Sequence, residues 1–297
     1  MKEITRIFSR AILSVALCLL SVSVTTKAAD NGDSPASVIR PVASAFMIGA
    51  GSANLADTYL TPLRYTGSNL SLQYERMQAM RFSPDRWVMQ LNVGIDADIT
   101  ENPARNADMY RLSLQASWAM MHRWRLPRAI TLAIGGTTGI DGGAIYNRRN
   151  GNNPVAGKAA WTIGLKGYAT WSTRISRLPI LLRYQAELPV TGAFFSPDYG
   201  ELYYEIWLGN HNGLAHAAWW GNYFVYNHSL TADLALGSTR LRIGYRGDIL
   251  STRVSGITSR VITHSFVLGI VNEWISVPSR SGLSAISPTA RIISALY

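Results

Sequence analysis

The chain has 297 residues, a formal charge of +10 and one cysteine, Cys18. A single cysteine excludes a disulfide framework and a multi-thiolate metal site. The basic residues are scattered, many at alternating positions, rather than gathered into the basic surface of a nucleic-acid binder.

Lys2, Arg6 and Arg10 precede an uncharged apolar run, residues 11–24, and the small residues Thr26 and Ala28 follow it. This is the pattern of a secretory signal peptide cleaved after Ala28, and the run is too short for a comfortable spanning helix. An uncleaved anchor is the alternative; Leu17 before Cys18 disfavours lipidation. Cleavage leaves a mature chain that has no cysteine and is still basic, a balance suited to anionic lipid headgroups or anionic solutes.

The mature chain shows a period of two. In YRLSLQASW (110–118), Tyr110, Leu112, Leu114, Ala116 and Trp118 alternate with Arg111, Ser113, Gln115 and Ser117. Only a strand separates such sets onto two faces. The pattern recurs from Trp87 to Ile99, Ile130 to Ile134, Trp161 to Trp171, Ile180 to Val190, Leu230 to Leu236, Leu241 to Tyr245 and Ile262 to Ile270. Several runs exceed ten residues, whereas ordinary strands average about five or six and a tilted membrane strand needs about 9–11. Short connections near residues 80, 124, 175 and 236 alternate with longer ones after 99, 145, 192 and 250. Outer-membrane barrels alternate short periplasmic turns with longer external loops. Trp161 and Trp171 share the apolar face at a separation of roughly 25 Å along the membrane normal, the height of a barrel's apolar band. With Tyr110 and Trp124 they are the expected aromatic girdle.

The expectation is therefore all-β: a closed antiparallel transmembrane β-barrel of about ten strands after a cleaved signal peptide. The strands are placed at about 43–53, 68–80, 86–99, 108–124, 129–144, 158–174, 179–192, 220–236, 239–250 and 259–273. Residues 201–209 are either a further strand, permitting twelve, or part of a folded external loop. The division is signal peptide 1–28, N-terminal periplasmic segment 29–42, barrel 43–274 and C-terminal periplasmic tail 275–297, with a short helix near ARIISALY. The partners expected are outer-membrane lipids and the barrel assembly machinery, with no nucleic acid; oligomeric state is left open.

LTPLRYTG (60–67), RNGNNP (149–154), LPVTGAFFSPDYGELYYEIWLGN (188–210), LRIGYRGDILSTRV (241–254) and THSFVLGI (263–270) carry a resemblance. By these segments the chain resembles an uncharacterised family, a domain of unknown function, of small outer-membrane proteins of Gram-negative bacteria. The resemblance implies an outer-membrane barrel and carries no activity or catalytic residue.

By parity Arg183, Arg240, Arg242 and Arg246 point inward, as do Glu187, Asp248, Asp96 and Asp98. They form either a paired plug in a narrow lumen or an arginine-rich, anion-selective pore. The segment 193–219 concentrates Phe194, Phe195, Tyr199, Tyr203, Tyr204 and Trp207, an area able to stack on sugars or lipids. A lipid-modifying enzyme needs a His and a Ser on one outer face. His228 and His264 face lipid, but their neighbours two residues on are Leu230 and Phe266, and a strand separates the two histidines. His211 and His216 lie in the long loop without acidic ligands nearby, and GIDGG (139–143) lacks the lysine of a phosphate loop. No catalytic residue, metal site or cofactor is expected. The function reads as a small-solute pore or an envelope structural protein; the alternatives are surface binding through loop 193–219 and, behind it, lipid modification.

Overall fold

A computed structural model describes residues 38–176, 178–237, 239–275 and 291–296. The expected signal peptide, most of segment 29–42 and the first part of the tail lie outside the described residues. Ten long strands alternate in direction: β2 (Val42–Asp57), β3 (Arg64–Ala79), β4 (Trp87–Glu101), β5 (Asp108–Leu126), β6 (Ile130–Asn147), β7 (Val155–Ile175), β8 (Leu178–Phe195), β10 (Tyr223–Leu236), β11 (Thr239–Val254) and β12 (Ile257–Trp274). Each pairs with the next in antiparallel register; β8 pairs with β10, and β12 returns to β2, with Phe266 opposite Ala50. The sheet closes, and no barrel strand is left with an open edge.

The two faces are inverted relative to a soluble protein. Phe46, Ile48, Leu70, Leu72, Ile134 and Phe266 are each more than half exposed on the outside. Arg242, Glu75, Asp98 and Lys166 are buried inside. Apolar rows outside and polar rows within are the arrangement of a membrane barrel. No helix among the described residues is long and apolar enough to cross a membrane; the strands do so.

Of the two alternatives for residues 201–209, the folded loop is present and the added barrel strand is not: Tyr203–Trp207 form a short helix, α1, inside the β8–β10 connection. Beyond it β9 (Ala215–Trp219) pairs with the external end of β8, from Thr191 to Phe195. Two details depart from the expectation. The connection after residue 250 is short, because β11 and β12 continue to Val254 and from Ile257. Ser255 and Gly256 both take positive φ, 50° and 75°, the turn that matches the twist of a tight hairpin. The end of the tail forms no helix. β13 (Arg291–Ile292) pairs in parallel with β1 (Val38–Ile39), and Ile293 N–H donates to the Ile39 carbonyl at 2.9 Å. Ile293, Ala295 and Leu296 are all buried; this burial overrides local helical preference.

Candidate functional site: a layered lumen and a folded external loop

From the end where β2 begins and β12 finishes, the expected periplasmic end, the lumen is a stack of layers. The lowest is apolar: Met77, Val88, Met121, Tyr168, Leu181 and Val271 close around Ala295 and Leu296 of the tail. Arg123, inward on β5, donates from Nη1 to the Ser294 carbonyl at 2.6 Å and from Nη2 to the Pro84 carbonyl at 3.0 Å. Ser294 Oγ donates to Glu273 at 2.5 Å, and Arg240 reaches the same carboxylate at 3.5 Å. Arg240 thus stands at the periplasmic mouth, not among the mid-lumen charges.

Above lies a buried ionic layer. Arg242 on β11 holds Asp233, its register partner on β10, by two bonds of 2.6 and 2.8 Å. Its Nη1 donates to Glu75 on β3 at 2.9 Å, and Arg183 on β8 donates to the other Glu75 oxygen at 2.7 Å. Gln90 donates to Glu75 and to Gln185, each at 2.8 Å. These bonds run across the barrel from β3 to β8, β10 and β11. Buried charges of this kind need such multiple partners.

Further up, Lys166 pairs with Glu187 at 2.6 Å, and Thr137 donates to the same carboxylate at 3.1 Å. Arg246 bridges Asp96 at 3.0 Å and Asp248 at 2.9 Å. Arg111 and Asn69 both hold Asp98, at 2.5 and 2.6 Å. Two adjoining cavities of about 110 and 100 Å³ remain. Both are lined by Gln115, Asp141, Asn227, Arg246 and Asp248. The external end is again apolar, with Leu55, Leu60, Tyr65, Met109 and Val261 in one cluster and Phe194, Ala218 and Tyr223 in another.

Strand parity read the inward charges, but not their partners. Glu75, Lys166, Asp233 and Asp141 carry as much of the interior as the arginines do. Between the apolar ends the carboxylates Glu75, Asp96, Asp98, Asp141, Glu187, Asp233 and Asp248 outnumber Arg111, Lys166, Arg183, Arg242 and Arg246. Among these described mid-lumen residues there is no arginine excess.

The external loop has an inner and an outer face. Phe194 is buried against Tyr223 and His216, at ring distances of 5.0 and 5.5 Å. Phe195 lies 6.4 Å from Tyr203, whose hydroxyl accepts the Gly157 N–H at 2.5 Å and whose ring meets Tyr59 edge-on. Burial pushes the Tyr203 phenol up to about 12. Tyr59 donates to the Glu201 carbonyl at 2.7 Å, which ties α1 down over the mouth. Tyr199, Tyr204 and Trp207 point outward, Trp207 with 85% of its surface exposed. His216 Nε2 lies 3.0 Å from the Ser196 carbonyl, a loop-packing contact. Among the described residues no group of three His, Cys, Asp or Glu side chains could hold a metal.

On the outer wall Trp124, Trp161 and Trp171 are exposed, and Tyr110 stacks on Tyr146 at 6.3 Å. His228 and His264 both register with Gly247 on β11. Glycine places no side chain between them; instead Tyr245 bonds His264 Nδ1 at 2.6 Å and sets its ring 5.7 Å from His228. The register also places Ser52 of β2 directly opposite His264. A scan along one strand misses that pairing, which only the closing seam creates.

Residues 12–281 match the model of a family described as protein of unknown function (DUF3316). The chain belongs to this family. No curated protein matches it. Among solved structures it is similar to the outer-membrane protease OmpT of Escherichia coli, at 5% identity and a TM-score of 0.40, over 79% of this chain and 97% of that one. It is also similar to the transport unit of the autotransporter AIDA-I of Escherichia coli (8%, TM-score 0.37, 86% and 96%). A third similar structure is an outer-membrane channel of Pseudomonas putida F1 (10%, TM-score 0.35, 83% and 100%). What places this DUF3316 member in a Gram-negative outer membrane is its own architecture, a closed antiparallel barrel with an apolar exterior.

Proposed function

We propose that this DUF3316 barrel is a non-conducting envelope protein that works through its external surface. The observation that carries the reading is the cross-barrel layer of Arg242, Asp233, Glu75 and Arg183, all buried and mutually bonded. Opening a path there requires separating buried ion pairs, at several kcal/mol each. The outward side chains Tyr199, Tyr204 and Trp207 are the contact surface in this reading, since α1 is anchored beneath them by Tyr203 and Tyr59. Its last barrel strand ends on Trp274, the aromatic end by which the barrel assembly machinery would recognise it. The decisive experiment is ion conductance of the refolded mature protein in a planar bilayer, with heat-modifiable gel mobility as the folding control. Folded protein that inserts and stays silent is the expected result; discrete conductance steps would return the pore reading.

A second reading, lipid modification, is favoured by the seam pairing of Ser52 with His264. Its test is hydrolysis of lipid esters by the purified protein, abolished by Ser52→Ala and unaffected by Ser68→Ala.

A further inference from the structure

The outer wall is not uniform around its circumference. On β4 to β7 large apolar residues such as Ile99, Leu112, Ile140 and Trp161 stand exposed toward the external rim. On β11, β12, β2 and β3 the outward positions of the external third are instead mostly polar: Ser251, Arg253, Thr258, Arg260, Asn54, Arg64, Thr66 and Ser68, with Ala56 and Ile262 among them. Register sets their spacing. Arg260 pairs with Ser251 on one side and Ala56 on the other, and Ala56 pairs with Arg64. Arg253 sits diagonally from Arg260, which puts their Cβ atoms about 7–8 Å apart. Arg64 lies two strand spacings from Arg260, about 10 Å.

These arginines are exposed, and no ion pair among the described residues engages them. Elsewhere on the rim Arg148 reaches Asp108 at 3.5 Å and Arg149 reaches Asn106 at 3.0 Å. The first outward carboxylate beside the facet is Glu101, which registers with Thr66 at its far edge. A groove of about 740 Å³ opens next to Arg253 and Arg260, with Trp219, Asn222 and Thr258 in its lining. The Arg253 N–H donates to the Asn222 carbonyl at 2.8 Å, which fixes the β11–β12 hairpin to the loop.

We propose that this facet binds a phosphate-bearing glycolipid of the outer leaflet. Arg253 and Arg260 hold one phosphate and Arg64 a second; hydroxyl and amide side chains meet the sugar, and Trp219 offers it a flat apolar face. The charge complementarity is one-sided, as a polyanionic ligand requires. The facet points sideways into the membrane rather than upward, and Phe266, Leu268 and Ile270 continue below it as an apolar row for acyl chains. A headgroup at this height, with its chains beneath, fits where a soluble anion would meet lipid. The inference holds whether or not the lumen conducts.

The test titrates the mature full-length protein in detergent with a bis-phosphorylated diglucosamine lipid and, separately, with its dephosphorylated counterpart, counting bound lipid by native mass spectrometry. Wild type is expected to favour the phosphorylated lipid by about tenfold or more. Arg253→Gln with Arg260→Gln should bring the two lipids to equal affinity, while Arg148→Gln leaves the preference intact. Heat-modifiable mobility checks folding; Arg64→Gln alone, with a partial loss expected, replaces the double variant if that fails to fold. Equal binding of both lipids by wild type overturns the proposal. So does complete displacement of the lipid by millimolar inorganic phosphate, which would mark a free-anion site.

Discussion

At the periplasmic mouth the closing groups come from the far end of the chain, Ile293 to Leu296, whose apolar side chains drop into a ring of Met, Val and Tyr. At the external mouth they come from one long connection, which is held by aromatic rings and a few backbone hydrogen bonds and keeps its outer face uncovered. The first closure buries nearly everything it brings. The second buries Phe194 and Tyr203 and leaves Tyr204 and Trp207 out. A segment that only seals has no reason to keep large aromatics exposed, and in the proposed reading sealing belongs to one end and contact to the other. Between them lies the buried ionic layer of Glu75, Arg183, Asp233 and Arg242.

That comparison breaks most sharply at Arg242. Arg242→Ala strands Asp233 and Glu75 without their main partner and should cost about 3–5 kcal/mol, read as a drop in the midpoint of denaturant unfolding. If stability is unchanged, the layer does not close the lumen. Leu296→Ala comes next. It removes a fully buried side chain from the periplasmic ring and should weaken tail docking by about 2–3 kcal/mol, near the lower end for such truncations. Limited proteolysis would then cut the tail sooner, while conductance stays silent because the ionic layer persists. Tyr203→Phe deletes the bond to the Gly157 N–H and should cost about 1 kcal/mol, seen as faster cleavage within 196–222 and not in the tail. Burial of the same ring, and not its bond to Gly157, which favours the ionised form, gives the loop a pH dependence. The Tyr203 phenol is raised from its ordinary 10.0 to about 12, so its contribution is complete below pH 10 and fades as pH rises through 12. Protease sensitivity of the loop should climb across that window. Trp207→Ala is the smallest in stability, within about 0.5 kcal/mol for an exposed side chain. Any loss of binding to cells or envelope lipid would then report contact rather than folding.

Much of the barrel was legible because a strand in a membrane wall writes its two environments on alternate residues. From Trp87 to Ile99 and from Ile262 to Ile270 the outward and inward sets follow directly from that period. Boundaries at the hairpin tips were less legible: Ser255 is an uncommon residue at positive φ, and nothing local separates a two-residue turn from a longer loop there. The tail escaped because its burial depends on a cavity made by eight barrel strands, so Leu296 looks like any terminal apolar residue. Across the lumen, parity gives direction but not partner. Glu75 and Arg242 are 167 residues apart in the chain, and their meeting depends on the barrel's shear. The outward arginines Arg64, Arg253 and Arg260 lie on three strands and become neighbours only once β12 joins β2.

The short pairing of β1 with β13 has a consequence for how that seam holds. β1 runs just ahead of β2 and β13 lies beyond β12, so the pairing ties together the same two stretches of chain that the seam joins. Once one connection forms, the other is intramolecular and proceeds at an effective concentration of roughly millimolar, instead of by a free encounter. Opening the barrel along its seam therefore takes two coupled breaks, and a break in either one is re-formed by the other.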